Sequence, residues 1–589
     1  MKSLLRLYQF LRPYRFKAAL ALTLLFVMVA ADLVVPRLTQ RIIDHGIVAK
    51  DFHVVMTTAL FMVGASLLSM ILALINNYLS VSVAMGFGAN LRSAMMRRVQ
   101  SFSFGNLNNL QTGKLIVRST SDVNMVQMIV LMSLRILTRA PIWAVGAIVL
   151  LVFTSPRLAL IMVVFVPLIV GLVLLFARKA RTMFLMVQQR LDRLNTVLQE
   201  NLAGIRVVKA FVRTAHEIGR FDEANEGLMQ RTTQVSQLMA VFMPFMLLIL
   251  NMAIVSAVWF GGRMGIAGGM SVGHVVAAIN YLSFALFPIF MLTGMLGPLS
   301  AADASASRIL EVLDAEPEVR AKSNASKPLD PKGRIVFENV SFGYNGNGAE
   351  PVLSDVSFTA EAGETVAILG ATGSGKSTLI HLIPRFYDVT SGRITFDGID
   401  VRDLDIHWLR SKVGVVLQEA VLFGGTVRDN IRYGRMAADE EEVMAAARAA
   451  QADTFITELP NGYDTVIGQR GVTLSGGQRQ RIAIARALLV KPKVLILDDS
   501  TSALDIETEI RLQDALDRLI AVSENATTRF IVTQRISTVL LADKILLLDR
   551  GRIAAVGPHQ QLLVVNPMYR DIYRSQLGEP QEDKAGRHA

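Results

Sequence analysis

Six apolar stretches interrupt the first 300 residues of this chain, and none follows them. They run Ala18–Val35, Val55–Val83, Met128–Phe153, Leu158–Ala177, Leu238–Gly261 and Ser271–Leu299. Each approaches or exceeds the ~20 residues a helix needs to cross a bilayer core. Basic residues flank the runs: Arg12, Arg15 and Lys17, then Arg92, Arg97 and Arg98, then Arg178, Lys179 and Arg181. Such an excess beside apolar spans marks the cytosolic side. The first run follows a basic segment, so a cleaved signal peptide is an alternative. The run is long for one, and nothing after it begins as a soluble domain would, so an uncleaved span is expected. Met1–Arg15 places Leu4, Leu5, Tyr8, Leu11 and Tyr14 at helical spacing, which predicts a short helix on the cytosolic membrane surface.

The spacing of the runs is uneven. Only Ser155-Pro156-Arg157 separates the third from the fourth, whereas long charged stretches near Phe87–Asn124 and Arg178–Gln237 separate the second from the third and the fourth from the fifth. Neither stretch contains proline, so both are expected to continue their flanking helices into the cytosol. An even number of spans puts both termini on that same side.

Past Ser300 the character changes. Residues 301–333 read as a linker with Pro317, Pro328 and Pro331, entered through a short helix around Ser307–Leu313. From 334 to 577, β-branched runs alternate with helical segments, the pattern of an α/β domain with parallel strands. Residues 578–589 form a polar tail. The predicted architecture is therefore a membrane domain over 1–300 (six helices with long cytosolic extensions) followed by an α/β P-loop domain. Composition agrees: 52% hydrophobic residues and a mean hydropathy of +0.42 are too apolar for an ordinary soluble chain of 589 residues. The net charge of +11 lies beside the spans rather than on one soluble face, which argues against nucleic acid as a partner. Zero cysteines exclude disulfides, thiolate metal sites and thiol nucleophiles.

The chemistry sits in the second half. The apolar run Thr365–Leu369 leads directly into Gly370-Ala371-Thr372-Gly373-Ser374-Gly375-Lys376-Ser377-Thr378. This is the phosphate-binding GxxxxGK[ST] loop with a strand before it and a helix after it. Its glycines let backbone N–H groups curl around phosphates, Lys376 reaches the β- and γ-phosphates, and Ser377 is placed to ligate magnesium. A second buried strand, Val494-Leu-Ile-Leu-Asp498, ends in a carboxylate suited to hold that magnesium. Between them, Leu474-Ser475-Gly476-Gly477-Gln478 precedes a basic helix. As a bare string it is a glycine turn and helix cap, and equally a second anion-binding element.

The order phosphate loop, Gln418, LSGGQ, VLILD, then Ser502-Ala-Leu-Asp505 resembles an ATP-binding cassette (ABC) transporter. With six preceding spans it resembles the exporter type, which fuses one membrane domain to one cassette. The resemblance covers nearly the whole chain. It implies ATP and Mg2+ as ligands, and a pair of cassettes that close head to tail, each ATP lying between one chain's phosphate loop and the other's LSGGQ. It further implies that Tyr344 stacks on adenine, that Gln418 joins Ser377 and Asp498 around the metal, and that Asp505 carries signals between cassettes. Gln469 stands where the family usually has an acidic residue facing the membrane domain. Thr112–Leu115 with Asp122, and Glu200–Gly204 with Val207–Phe211, resemble the two coupling segments that rest on cassettes.

Two positions depart from the family pattern. The glutamate expected after Asp498 is Asp499, and the switch histidine is Gln534. The aspartate carboxylate is retracted by about 1.5 Å, one C–C bond. An amide donates a hydrogen bond but does not exchange a proton near neutral pH. The chain therefore resembles the degenerate-site subunit of heterodimeric bacterial multidrug exporters. That reading implies a non-identical partner chain, surrounding lipid, a small amphipathic cargo and a bacterial cytoplasmic membrane. Alternatives are a homodimeric exporter with slow hydrolysis, and an ATP-sensing regulatory subunit or channel. For the pathway, Asn76, Asn77, Asn251, Asn280 and Arg135 are candidates, though asparagine more often joins helices. Arg135 and Arg139 are expected in a cytosolic extension, without need of partners. Met243, Met246, Met252, Met291 and Met295 with Phe284, Phe287 and Phe290 could form an adaptable apolar wall.

Overall fold

The computed structural model describes residues 2–322, 324–344, 351–468, 471, 473–501, 506–522 and 527–577. Gln469, Asp505, residues 578–589 and the side chain of Phe290 lie outside the described residues. The chain divides into two compact units, one of residues 1–100 and 112–315, the other of 101–111 and 316–589.

The first unit is helical. Its six candidate spans lie in Lys2–Ile47, Phe52–Gln100, Thr112–Thr154, Pro156–Ala203, Thr214–Ile266 and Val272–Ile289. The helix Phe52–Gln100 has 49 residues, about 74 Å at 1.5 Å per residue. That exceeds twice the hydrocarbon thickness, so the expected extensions are real continuations of the spans. Ser155 starts the fourth span, its hydroxyl accepting from the Leu158 N–H at 3.3 Å with Pro156 in the first turn. Around Tyr281, Leu25, Leu151 and Ala253, buried side chains of several spans form one core.

Several details differ from the expectations. The sixth helix runs unbroken from Val272 to Asp314, so Ser307–Leu313 is its last turns and the linker begins at Ala315 rather than 301. Ion pairs that each bury one partner, Asp122 or Arg118, explain the extension: Arg308 donates to Asp122 through Nε at 2.9 Å, and Arg118 to Glu311 at 2.8 Å. Asp122 and Thr112–Leu115 thus belong to the helical unit. The segment that joins the cassette's compact unit is Ser101–Gln111, immediately upstream. Arg139 does have a partner, Asp32, at 3.0 Å, and Arg135 donates to the Asn77 carbonyl at 3.1 Å. Both contacts join different helices. Asn76 donates to the Ala21 carbonyl of another helix at 2.6 Å, the packing role, whereas Asn280 donates to Val276 on its own helix at 3.0 Å. Met243, Met246 and Phe287 line a small apolar cavity of about 40 Å³.

The second unit is built on a six-stranded sheet ordered Arg552–Gly557, Lys544–Asp549, Thr365–Leu369, Thr528–Val532, Val494–Asp498, Val413–Val416. Only the first of these pairs antiparallel. Thr365–Leu369 and Val494–Asp498 are buried throughout, as near-continuous apolar strands of a covered parallel sheet should be. A four-stranded antiparallel sheet of Leu353–Ala360, Ile335–Phe342, Ser391–Phe396 and Ile399–Asp400 packs its buried face onto the same core.

The helix Phe104–Leu110 also belongs to this unit. It begins with a capping box of Ser103 and Asn106. Phe104 stacks on Phe386 with ring centroids 4.2 Å apart, and Asn108 donates to the Tyr387 hydroxyl at 3.0 Å. Asn106 donates to the Glu316 carbonyl at 2.9 Å and accepts from the Glu318 N–H at 3.1 Å.

Candidate ATP-binding site

Parallel pairing brings the three chemical segments together. Ile368 lies opposite Val532, and Val532 opposite Asp498, so the phosphate loop, the Asp498–Asp499 pair and Gln534 all leave the carboxyl ends of adjacent strands. That edge is where open α/β sheets place ligands. A cavity of about 320 Å³ lies there, lined by Thr372, Gly373, Gly375, Lys376, Ser377, Thr378, Gln418, Asp498, Asp499 and Gln534, with Val352 and Val532. The two valines carry no chemical signature and were not legible as site residues.

The loop's backbone explains its glycines. Gly373 and Gly375 have φ of +82° and +100°, and a Cβ at Gly375 would meet Leu353 Cδ2 at 2.8 Å. Only glycine takes this path without strain. Lys376 is buried and folds back, donating to the Gly370 and Ala371 carbonyls at 2.9 and 2.8 Å. Burial draws its ammonium below the usual lysine range, against the opposing pull of Asp499 and Asp498. Ser377 Oγ donates to Asp498 Oδ1 at 2.9 Å. Burial pushes the Asp498 carboxyl up, and the neighbouring Asp499 adds to that.

These features fit a magnesium-bound triphosphate. A desolvated ammonium, a serine hydroxyl and a buried carboxylate sit side by side, and Ser374 Oγ is buried without a partner among the described residues. Bound magnesium would supply positive charge for both the carboxylates and the phosphate oxygens. Tyr344 is half exposed, its hydroxyl 2.8 Å from Thr378 Oγ1, and its ring stands edge-on to Phe342 and Tyr387.

Asp499 has a φ of +46°, uncommon for a side-chain-bearing residue, held by its N–H donating to the Val532 carbonyl at 3.0 Å. Gln418 Nε2 stands 3.5 Å from Asp499 Oδ2, the outer limit of a hydrogen bond. Gln534 is exposed at the cavity rim, its carbonyl accepting from Gln576 Nε2 at 2.8 Å. His381, unnoticed in the sequence, has Nε2 buried 3.6 Å from Asp498 Oδ2, and burial draws its pKa down.

The LSGGQ segment stands apart, none of its residues lining this cavity. Ser475 caps the helix Gly476–Leu489, accepting from the Gln478 N–H at 3.2 Å while Gln478 Oε1 accepts from the Ser475 N–H at 2.9 Å. Leu474 is buried, its carbonyl accepting from Arg479 at 2.8 Å. Exposed Ser475 thus begins a 14-residue helix whose positive end faces outward.

Comparison with known proteins agrees along the length of the chain. Residues 19–289 match the family model of the ABC transporter transmembrane region, and residues 353–502 that of the ABC transporter. The uncharacterized ABC transporter ATP-binding protein YfiB of Bacillus subtilis is 42% identical, over 97% of this chain and 98% of that protein. An ATP-dependent lipid A-core flippase of Desulfotalea psychrophila is 35% identical, over 97% of this chain and 99% of its own. A solved bacterial Atm1-family ABC exporter with ATP bound superposes with a TM-score of 0.82 at 27% identity, covering 96% of this chain and 100% of that one. Six membrane-crossing helices, a cassette built for ATP and relatives matched end to end place this chain in the ABC transporter family, as an ATPase-coupled exporter with fused transmembrane and ATP-binding domains.

Proposed function

We propose that this chain is one subunit of a heterodimeric exporter whose own phosphate-loop pocket retains ATP while its LSGGQ completes a faster site on a non-identical partner. The observation that carries this reading is the pair Asp499 and Gln534 at the rim of an otherwise complete pocket. Lys376, Ser377 and Asp498 keep the chemistry that binds nucleotide. Asp499, the residue placed to take a proton from attacking water, is retracted, and a general base must reach that proton. A displacement of about 1 Å can cost roughly a hundredfold in rate. Burial also pushes the Asp499 carboxyl up, against the pull of Lys376 and Arg535. Gln534 offers a donor for a γ-phosphate without proton exchange.

On the other face, Ser475 and its helix keep every residue of the signature, so they can serve an ATP held by another chain. The cargo we infer is an amphipathic drug or lipid. Relatives named as lipid A-core flippases and the multidrug-export candidate YgaD of Bacillus subtilis (34% identical) support that class.

Site-directed changes in the co-purified pair test the reading. Asp499→Asn should alter steady-state ATPase by less than about twofold, whereas Ser475→Arg should nearly abolish it. The reverse ranking would overturn the assignment, and equal losses would favour a homodimer with two slow sites.

A further inference from the structure

A buried carboxylate outside the ATP cavity ties together the two segments on which turnover depends. Glu509 lies on the helix Ile506–Val522 and is 5% exposed. Its Oε1 accepts from Thr501 Oγ1 at 2.9 Å and from Thr538 Oγ1 at 2.6 Å, and its Oε2 accepts from Arg535 Nη1 at 2.8 Å. Thr501 stands two residues beyond Asp499. Arg535 follows Gln534 directly, and Thr538 lies in the short helix that succeeds it. None of these residues lines the cavity.

We propose that Glu509 is a positioning residue for ATP turnover: it locks the exit of the Asp498 strand to the switch loop, fixing where Asp499 and Gln534 point. The proposal deepens the reading of this pocket as a nucleotide-retaining site and rests on it.

Three observations support the lock. First, a buried charge persists only when paired and hydrogen-bonded, and Glu509 obtains all of its described partners from these two loops. Second, Arg535 is the shared piece: Glu509 holds its guanidinium at 2.8 Å, and it follows Gln534 directly along the chain. Third, the switch loop is held from its outer side as well. Gln576 Nε2 donates to the Gln534 carbonyl, and Gln576 Oε1 accepts from the Ile536 N–H at 2.9 Å. With the outer side fixed by Gln576, the Glu509 contacts decide the distance between the switch loop and Asp499. Asp499 already sits in a left-handed conformation, which persists only where its surroundings over-determine it.

The test is a double-mutant cycle read on this pocket alone. The co-purified pair in nanodiscs is loaded with 8-azido-[α-32P]ATP and Mg2+ and cross-linked at intervals. The ATP to ADP ratio on this chain then gives its single-turnover rate. Glu509→Gln should lower that rate about tenfold to a hundredfold, the cost of a misplacement near 1 Å, while labelling affinity stays within about twofold. In an Asp499→Asn background, Glu509→Gln should add little further, because it acts through residue 499. Arg535→Lys, which keeps the charge and loses the held geometry, should slow turnover similarly and non-additively with Glu509→Gln. It serves alone if the glutamine variant does not fold. A full-sized effect of Glu509→Gln in the Asp499→Asn background, or unchanged turnover in either single variant, would overturn the proposal. Failure of the underlying reading appears separately, as rapid conversion to ADP on the wild-type chain.

Discussion

Asp498 bears a cost that the Ser377 hydrogen bond and the Lys376 charge offset only in part. Burial and the adjacent Asp499 raise its carboxyl above the ordinary range. Such a group favours the fold at pH values below that range, and the advantage is lost as pH rises through the raised value. At neutral pH the charged carboxylate is therefore a net burden on the nucleotide-free protein, kept for binding. Asp498→Asn should raise the melting temperature of the nucleotide-free protein at pH 7, with the gap between variant and wild type closing toward pH 4. The further rise on adding MgATP should shrink. Differential scanning fluorimetry across pH checks both, and a lower melting temperature for the variant at pH 7 would contradict the argument. At this scale the sequence was highly legible. Lys376, Ser377, Asp498 and Ser475 are ordered by local spacing, and local spacing is visible in a string. Glu509 and His381 were not, because their significance comes from neighbours 8 to 117 positions away.

Among the elements, the helix Phe104–Leu110 is the informative case. The sequence suggested Thr112–Leu115 as the segment that rests on a cassette, but the aromatic stack and asparagine bonds lie upstream, on Phe104, Asn106 and Asn108. The capping box that starts this helix uses asparagine instead of glutamate or glutamine, which weakens its sequence signal. An aromatic pair contributes about 0.5–1.5 kcal/mol beyond its buried area. Phe104→Ala should therefore shift the docked-to-undocked ratio by up to about tenfold. The expected outcome is ATPase within about twofold of wild type with export of a fluorescent lipophilic dye reduced by up to about tenfold. Equal loss of both would make the stack a folding contact alone. The sixth helix teaches a related lesson. Ala301–Asp314 reads as small, polar and charged, yet it stays helical because Arg308 and Glu311 pair with Asp122 and Arg118.

For the molecule as a whole, the proposed division of labour between two pockets predicts how the chain behaves alone. Purified without a partner, it should bind ATP tightly and turn it over roughly a hundredfold more slowly than the co-purified pair, if retraction of residue 499 carries the usual positional cost. Steady-state ATPase of the lone chain in nanodiscs, against the pair, measures this directly. Rapid turnover that disappears with Asp499→Ala would sink the heterodimer reading.

What the amino-acid order determined by itself was the class of the protein: six spans, a parallel α/β cassette, the nucleotide loop, and the two substitutions that set this pocket apart. Each depends on hydrophobic period, or on residues within a few positions of one another, where local geometry follows from the chain. Only the tertiary structure decided which loop joins the cassette, that Arg139 pairs with Asp32, where the sixth helix ends, and that Glu509 fastens the switch loop. Those outcomes depend on partners distant along the chain, since a buried charge must find its counter-charge wherever the fold delivers it.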